Sequence, residues 1–179
     1  MCLANSVLTV KSPWFTGGSR GIVLAIARAL GEAGCEVATA ELIDAGIEII
    51  AIKADVSKKD NFLAMVKTVL DTWGDLHITV NNARIVSGNN AEDITEDQYD
   101  QLMRINLKGV FLSCQAEANH MFGKGNGRII NTASMSGYTV NRSQKHCQYE
   151  ASKAAAKDLT RSMAAEWVDR GVLVKSISP

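Results

Sequence analysis

The sequence predicts an α/β protein: a doubly wound parallel sheet covered on both faces, three layers in the order helix, sheet, helix. Three observations predict it. Short apolar runs bounded by turn residues alternate with longer stretches of helical periodicity from one end of the chain to the other. Glycine-rich turns sit between several of these pairs. The polar clusters Thr16 to Gly21, Asp55, Asn81 to Arg84, Ser134 to Gly137 and Pro179 each fall at the carboxyl end of a predicted strand, which is where such sheets bind ligands.

The elements follow in order. Leu8-Thr9-Val10 and Trp14-Phe15 form a first short strand, with Pro13 removing one ladder donor from its middle or its start. The turn Thr16-Gly17-Gly18-Ser19-Arg20-Gly21 leads into a helix whose apolar positions are Ile22, Val23, Ile26, Ala27 and Leu30, with Gly34 at its C-cap. Strand, glycine turn and helix together aim free backbone N–H groups and a positive helix end at a phosphate. A second strand covers 35–38 and a third covers 47–52. The intervening 39–46 reads as the last turns of a helix, too short for an ordinary crossover.

A helix over 58–72 buries Phe62, Met65, Val66, Val69 and Leu70, and a strand over 76–80 runs into Asn81-Asn82-Ala83-Arg84. Thr95 and Gln98 have capping-box spacing and open a long helix over 95–121, with Tyr99, Leu102, Met103, Val110, Phe111 and Cys114 as its apolar positions. Asn106 lies in the middle of that helix, where asparagine is a poor helix former; a polar kink and an ordinary exposed side chain are both open readings. A strand over 128–133 ends in Ser134-Met135-Ser136-Gly137, a helix runs from 148 to about 169, and a strand covers 172–177. In that last helix Tyr149 and Lys153 stand four apart, one turn above the other on the same face. A fixed ammonium beside a phenol favours the phenolate, so the pair is suited to general acid/base work.

Composition bounds the rest. The chain has 179 residues with 46% hydrophobic content, the profile of one globular domain over 1–179. Formal net charge is zero, so there is no electrostatic case for nucleic acid or an anionic membrane as partner. No apolar run approaches a membrane span and no secretory leader is apparent, so a cytoplasmic protein is expected. Cys2, Cys35, Cys114 and Cys147, with His77, His120 and His146, show no ligand spacing; reduced thiols and no metal are expected.

Taken together, these residues resemble the short-chain dehydrogenase/reductase family over nearly the whole chain, which implies a Rossmann-like fold. Thr16-Gly17-Gly18-Ser19-Arg20-Gly21-Ile22 is similar to the family's cofactor turn, Asp55-Val56 to its adenine contact, and Asn81-Asn82-Ala83 to its strand-end motif. Asn106 matches the family's helix asparagine, and Tyr149 with Lys153 its catalytic pair. The resemblance implies hydride transfer between NADP or NAD and a secondary alcohol or ketone. Gly17, Ser19, Arg20, Gly21, Ile22, Asp55, Val56, Asn82, Ala83, Tyr149 and Lys153 would then contact the cofactor, with Tyr149, Lys153, Asn106 and a serine as the catalytic set. Under this resemblance Asn106 holds a water that links Lys153 to solvent. The commonest family spacing selects Ser136, thirteen residues before the tyrosine; Ala133-Ser134-Met135-Ser136-Gly137 is similar to polyol dehydrogenases and ketose reductases, in which the serine fifteen residues before it acts. That subgroup points to Ser134 and to a polyol-like substrate. Homo-oligomerisation through the two long helices is also implied.

Departures from the family pattern support an alternative, an inactive or truncated member that acts only as a weak binding or interaction module. Val23 replaces a glycine of the cofactor turn and Arg84 the glycine of Asn-Asn-Ala-Gly. The family's continuation past Pro179, with a substrate-covering helix and a final strand, is absent from this sequence. Arg20 suits the 2′-phosphate of NADP, whereas Glu41, if it ends the second strand, would suit NAD.

Overall fold

The computed structural model describes residues 13–16, 25, 29, 52 and 54–179. In chain order they form β1 (Pro13–Thr16), α1 (Lys59–Trp73), β2 (Ile78–Asn81), α2 (Glu96–Met103), a π-helical turn (Arg104–Lys108), α3 (Gly109–Met121), β3 (Gly127–Thr132), α4 (Cys147–Trp167) and β4 (Val172–Ile177). Short 3₁₀ turns precede α2, follow β3 and follow α4. The four strands make one parallel sheet in the order β1-β2-β3-β4. This is the expected α/β architecture. Pro13 opens β1, the strand position at which a missing N–H is best tolerated. The Leu8–Val10 segment, the cofactor-turn residues Gly17, Ser19, Arg20, Gly21 and Ile22 with Val23, the strands near 35–38 and 47–50, and Glu41 lie outside the described residues.

Helix α1 buries Phe62, Met65, Val66 and Val69, the face its periodicity predicts, with Leu70 half-buried beside them. These side chains pack with Val110, Cys114, Met121, Ile129, Met163, Trp167, Val172 and Val174 in one apolar cluster. All four residues of β2 are buried. Because successive strand side chains alternate between faces, Thr79 and Asn81 look one way and Ile78 and Val80 the other, so both faces of the sheet are covered at this strand.

The long helix does not run straight from 95 to 121. Thr95 caps α2 as expected: its hydroxyl accepts from Gln98 N at 3.3 Å, and Gln98 Oε1 accepts from Thr95 N at 3.1 Å. The π turn at Arg104–Lys108 then inserts a wider turn, which rotates α3 relative to α2. A single 3.6-residue period therefore fails across the join. Leu102, Val110 and Cys114 are buried as expected, but Tyr99 is 44% and Phe111 41% exposed, correcting their place on the apolar face. Asn106 sits inside the π turn and is fully buried, not exposed.

A polar network runs through the middle of the sheet. Glu117 of α3 is buried, and its Oε2 accepts from Thr79 Oγ1 at 2.8 Å and Asn81 Nδ2 at 3.0 Å. Asn81 Nδ2 also reaches Asn131 Oδ1 at 3.1 Å, and Asn131 Nδ2 donates to Thr160 Oγ1 of α4 at 3.0 Å. Ser113 Oγ lies 2.6 Å from both Asn81 Oδ1 and Glu117 Oε1. A hydroxyl has one hydrogen and neither neighbour is a donor unless Glu117 is protonated. The geometry is satisfied when Ser113 donates to Asn81 and a neutral Glu117 donates to Ser113. Burial also pushes the Glu117 carboxyl above the usual range, outweighing the opposing effect of its hydrogen bonds with Ser113, Asn81 and Thr79.

Two glycines permit close approaches that set the geometry of the strand ends. A Cβ on Gly137 would lie 3.0 Å from Ala154 N and from Lys153 C, so the turn after β3 lies directly on the backbone of α4. A Cβ on Gly109 would lie 2.8 Å from Val56 O, which brings the loop after residue 55 against the start of α3.

Two predictions follow from this packing. Glu117→Gln preserves every hydrogen bond of the network and should leave unfolding free energy within about 1 kcal/mol of the parent, whereas Glu117→Leu strands the donors of Thr79 and Asn81 and should lose about 2–4 kcal/mol. Since the folded-state pKa of Glu117 is raised, its contribution is fully present below the ordinary carboxylate range and declines as pH rises towards the folded value. Urea unfolding across pH should show that decline in the parent and not in Glu117→Gln; a Gln variant several kcal/mol less stable contradicts a neutral Glu117. By the same assay Gly137→Ala and Gly109→Ala should each cost about 1–3 kcal/mol through overpacking. Gly88→Ala, whose Cβ would meet nothing closer than 3.9 Å, should be near neutral.

Candidate functional site

The carboxyl ends of β1, β2 and β3 are tied to one another. Thr16, the last residue of β1, accepts with its hydroxyl from Asn82 N at 2.9 Å and Ala83 N at 3.1 Å, so the start of the glycine turn and the Asn-Asn-Ala segment are latched together. Asp55 is exposed; its Oδ1 accepts from Ser57 N at 2.9 Å and Ser57 Oγ at 2.7 Å, and these bonds hold its carboxyl below the ordinary value. Val56 lies beside Thr16, Asn81 and Ala83 around a small gap at the same strand ends.

Asn106 clamps the loop after β2 to α4. Its Oδ1 accepts from Ile85 N at 2.9 Å; its Nδ2 donates to Ile85 O at 2.9 Å and to Ser152 Oγ at 3.2 Å. Ser152 Oγ in turn donates to Tyr149 O at 2.7 Å. A second fastening comes from buried Gln148, whose Nε2 donates to Ser87 Oγ at 2.7 Å. The first turn of α4, which carries Tyr149, is thus held to the loop after β2 at two points.

Tyr149 and Lys153 lie on one face of α4 and both are buried. Lys153 Nζ is 5.8 Å from the centre of the Tyr149 ring and donates to Thr132 O at 2.6 Å. No other acceptor engages the ammonium among the described residues, so two of its three N–H groups have no acceptor among them. Burial first, and the charge of Arg84 second, bring the Lys153 pKa down to about 8. Ser134 follows β3 and is buried; its Oγ accepts from Ser136 N at 3.2 Å, shaping the 3₁₀ turn Met135–Gly137.

A cleft of about 850 Å³ opens beside these residues, lined by Ser134, Ser136, Tyr149, His146, Arg84 and Pro179 among others. The structure therefore brings Ser134, Ser136 and Tyr149 to one cavity, with Lys153 beneath and Asn106 behind. Asp55, Val56, Asn82 and Ala83 do not line it. Sequence reasoning missed His146. It is buried at the start of α4, its ring 5.4 Å from that of Tyr149 and its Nε2 3.4 Å from Glu150 Oε1. Its spacing three residues before Tyr149, within one helical turn, was the available signal. Arg142 and Lys145, in the polar segment before α4, also line the cleft, and nothing in their local spacing singled them out.

The "short chain dehydrogenase" family model matches residues 14–179. The 3-oxoacyl-[acyl-carrier-protein] reductase FabG of Staphylococcus aureus is 36% identical over 182 residues, an alignment covering 94% of this chain and 73% of that protein. Galactitol 2-dehydrogenase of Rhizobium johnstonii is 36% identical over 176 residues, covering 92% of this chain and 68% of that protein. Among solved structures, a short-chain type dehydrogenase/reductase from Mycobacterium marinum superposes with a TM-score of 0.90 at 36% identity, over 94% of this chain and 74% of that one. The fold, the parallel sheet order and these likenesses agree: the chain belongs to the short-chain dehydrogenase/reductase family.

Proposed function

We propose that the protein is an NADP- or NAD-dependent oxidoreductase that interconverts a secondary alcohol and a ketone. The observation that carries this reading is the buried Lys153 ammonium, with a single acceptor, Thr132 O, among the described residues, one helical turn from a cleft-lining Tyr149. A buried ammonium is stabilised by further acceptors, and the vicinal hydroxyls of a nicotinamide ribose fit that need. Asp55, Val56, Asn82 and Ala83 stand at the strand ends where the rest of a dinucleotide would lie. Bound nicotinamide would supply the hydride chemistry.

The remaining work falls to the chain. The Tyr149 hydroxyl gives a proton to the substrate oxygen in reduction and its phenolate takes one in oxidation. Ser134, buried at the end of β3, donates a hydrogen bond to the same oxygen as negative charge develops on it. Ser136 is less suited, because its position is more open to solvent. The Asn106 side chain makes three hydrogen bonds to Ile85 and Ser152. Its amide therefore acts by holding the π turn and α4 in place. Among relatives of similar identity stand an acyl-carrier-protein-linked reductase and a polyol dehydrogenase; the Ala133-Ser134-Met135-Ser136-Gly137 segment leads us to a polyol-like substrate. The groove of about 480 Å³ formed by Met103, Leu107, Phe111 and Leu159, with Phe111 41% exposed, supports pairing of α2, α3 and α4 with a second copy.

One observation favours the second reading, a member that binds weakly and does not turn over: the Arg84 side chain enters the cleft where a glycine would leave space. Titration with NADPH and NADH, followed by cofactor fluorescence, separates the two. Saturation in the micromolar range by one of them is expected; no saturation by either favours the second reading. In steady-state assays on a panel of secondary alcohols and ketones, Tyr149→Phe should lower kcat by about 10²-fold or more. Ser134→Ala should lower it more than Ser136→Ala. Turnover unchanged in Tyr149→Phe contradicts the assignment.

A further inference from the structure

Among the described residues the cleft beside Tyr149 is lined by three cations, Arg84, Arg142 and Lys145, and by no aspartate or glutamate. Among the described residues none of the three has a carboxylate oxygen within 4.0 Å. Glu150, the acid nearest in sequence to Arg142 and Lys145, is bonded to their loop through the backbone and not to either cation: its Oε1 accepts from Asn141 N at 3.2 Å and faces His146 Nε2 at 3.4 Å. The chain as a whole is electrically neutral, so this imbalance is a matter of placement and not of composition. Like charges gathered around a concave site focus potential into it and raise the local concentration of a counter-ion. The field reaches the catalytic centre, since Arg84 contributes to the lowered pKa of Lys153.

We propose that the substrate carries a carboxylate or phosphate group, held by Arg142 and Lys145 from the loop before α4 and by Arg84 from the loop after β2. This rests on the oxidoreductase reading and names the class of substrate for it. Cofactor phosphates belong at the glycine turn after β1, whereas Arg142 and Lys145 stand with Ser134 and Tyr149, on the side where the reacting oxygen would sit. Guanidinium and ammonium groups bond carboxylate and phosphate oxygens through charge-assisted hydrogen bonds. A polyol-like substrate bearing such a group would make charge-assisted bonds to these exposed cations that an uncharged polyol cannot.

The test uses matched ketones that differ in one anionic group: fructose and fructose 6-phosphate, dihydroxyacetone and its phosphate, ethyl acetoacetate and acetoacetate. For at least one pair the anionic member should bind and turn over with KM and Kd about tenfold lower or better. That ratio should fall about tenfold in Arg142→Ala/Lys145→Ala and stay unchanged in Lys59→Ala, an exposed cation on α1. Raising NaCl should weaken only the anionic member. Calorimetric titration without cofactor reads binding independently of turnover. Anion preference without turnover upholds the subsite and defeats the oxidoreductase reading; turnover with no anion preference in any pair, or a preference unaffected by the double variant, overturns the subsite alone.

Discussion

A lysine ammonium held almost wholly out of water is the constraint on which the strand-end architecture depends. Lys153 is 1% exposed and has one acceptor among the described residues, the carbonyl of Thr132 at the end of β3. Burying such a group opposes its charge, and the surrounding structure is arranged to keep it in place regardless. Helix α4 is pressed against the turn after β3 by the absence of a side chain at Gly137, and its first turn is fastened through Ser152 and Gln148 to the loop after β2.

The polar network beneath serves the same end from inside the sheet. Thr79, Asn81, Glu117, Asn131 and Thr160 join β2, α3, β3 and α4 by directional bonds that an apolar core does not provide. Apolar packing is tolerant of small shifts, whereas a fully satisfied buried network fixes register. Strand ends whose relative positions are fixed in this way can hold Ser134, Tyr149 and Lys153 around one cavity. Arg84 connects the cavity's electrostatics to the lysine, since its charge is one of the causes of the lowered pKa.

Much of this was legible in the sequence. The buried face of α1, the capping box at Thr95, the strand 172–177 and the convergence of polar segments on the strand ends all emerged from periodicity and turn chemistry. Tyr149 and Lys153 were placed on one face by their spacing alone. What was not legible has physical causes. The π turn at Arg104–Lys108 breaks the period that any helical reading assumes, so Tyr99 and Phe111 were assigned to the wrong face. An acidic residue in mid-helix reads as solvated surface, and only the positions of Thr79, Asn81 and Ser113 show why Glu117 is buried. Arg142, Lys145 and His146 lie in or beside a loop whose course over the cleft depends on tertiary packing, which local spacing does not encode.

The account turns on a buried, charge-crowded lysine whose proton affinity is depressed to the range in which an acid/base pair is useful. A direct measurement is an NMR pH titration of the Lys153 side-chain nitrogen in cofactor-free protein, assigned by comparison with Lys153→Arg. An apparent pKa near 8, rising when Arg84 is replaced by glycine, is the predicted result. A value at the ordinary lysine position of about 10.4, insensitive to Arg84, contradicts the burial and coupling from which the site was built.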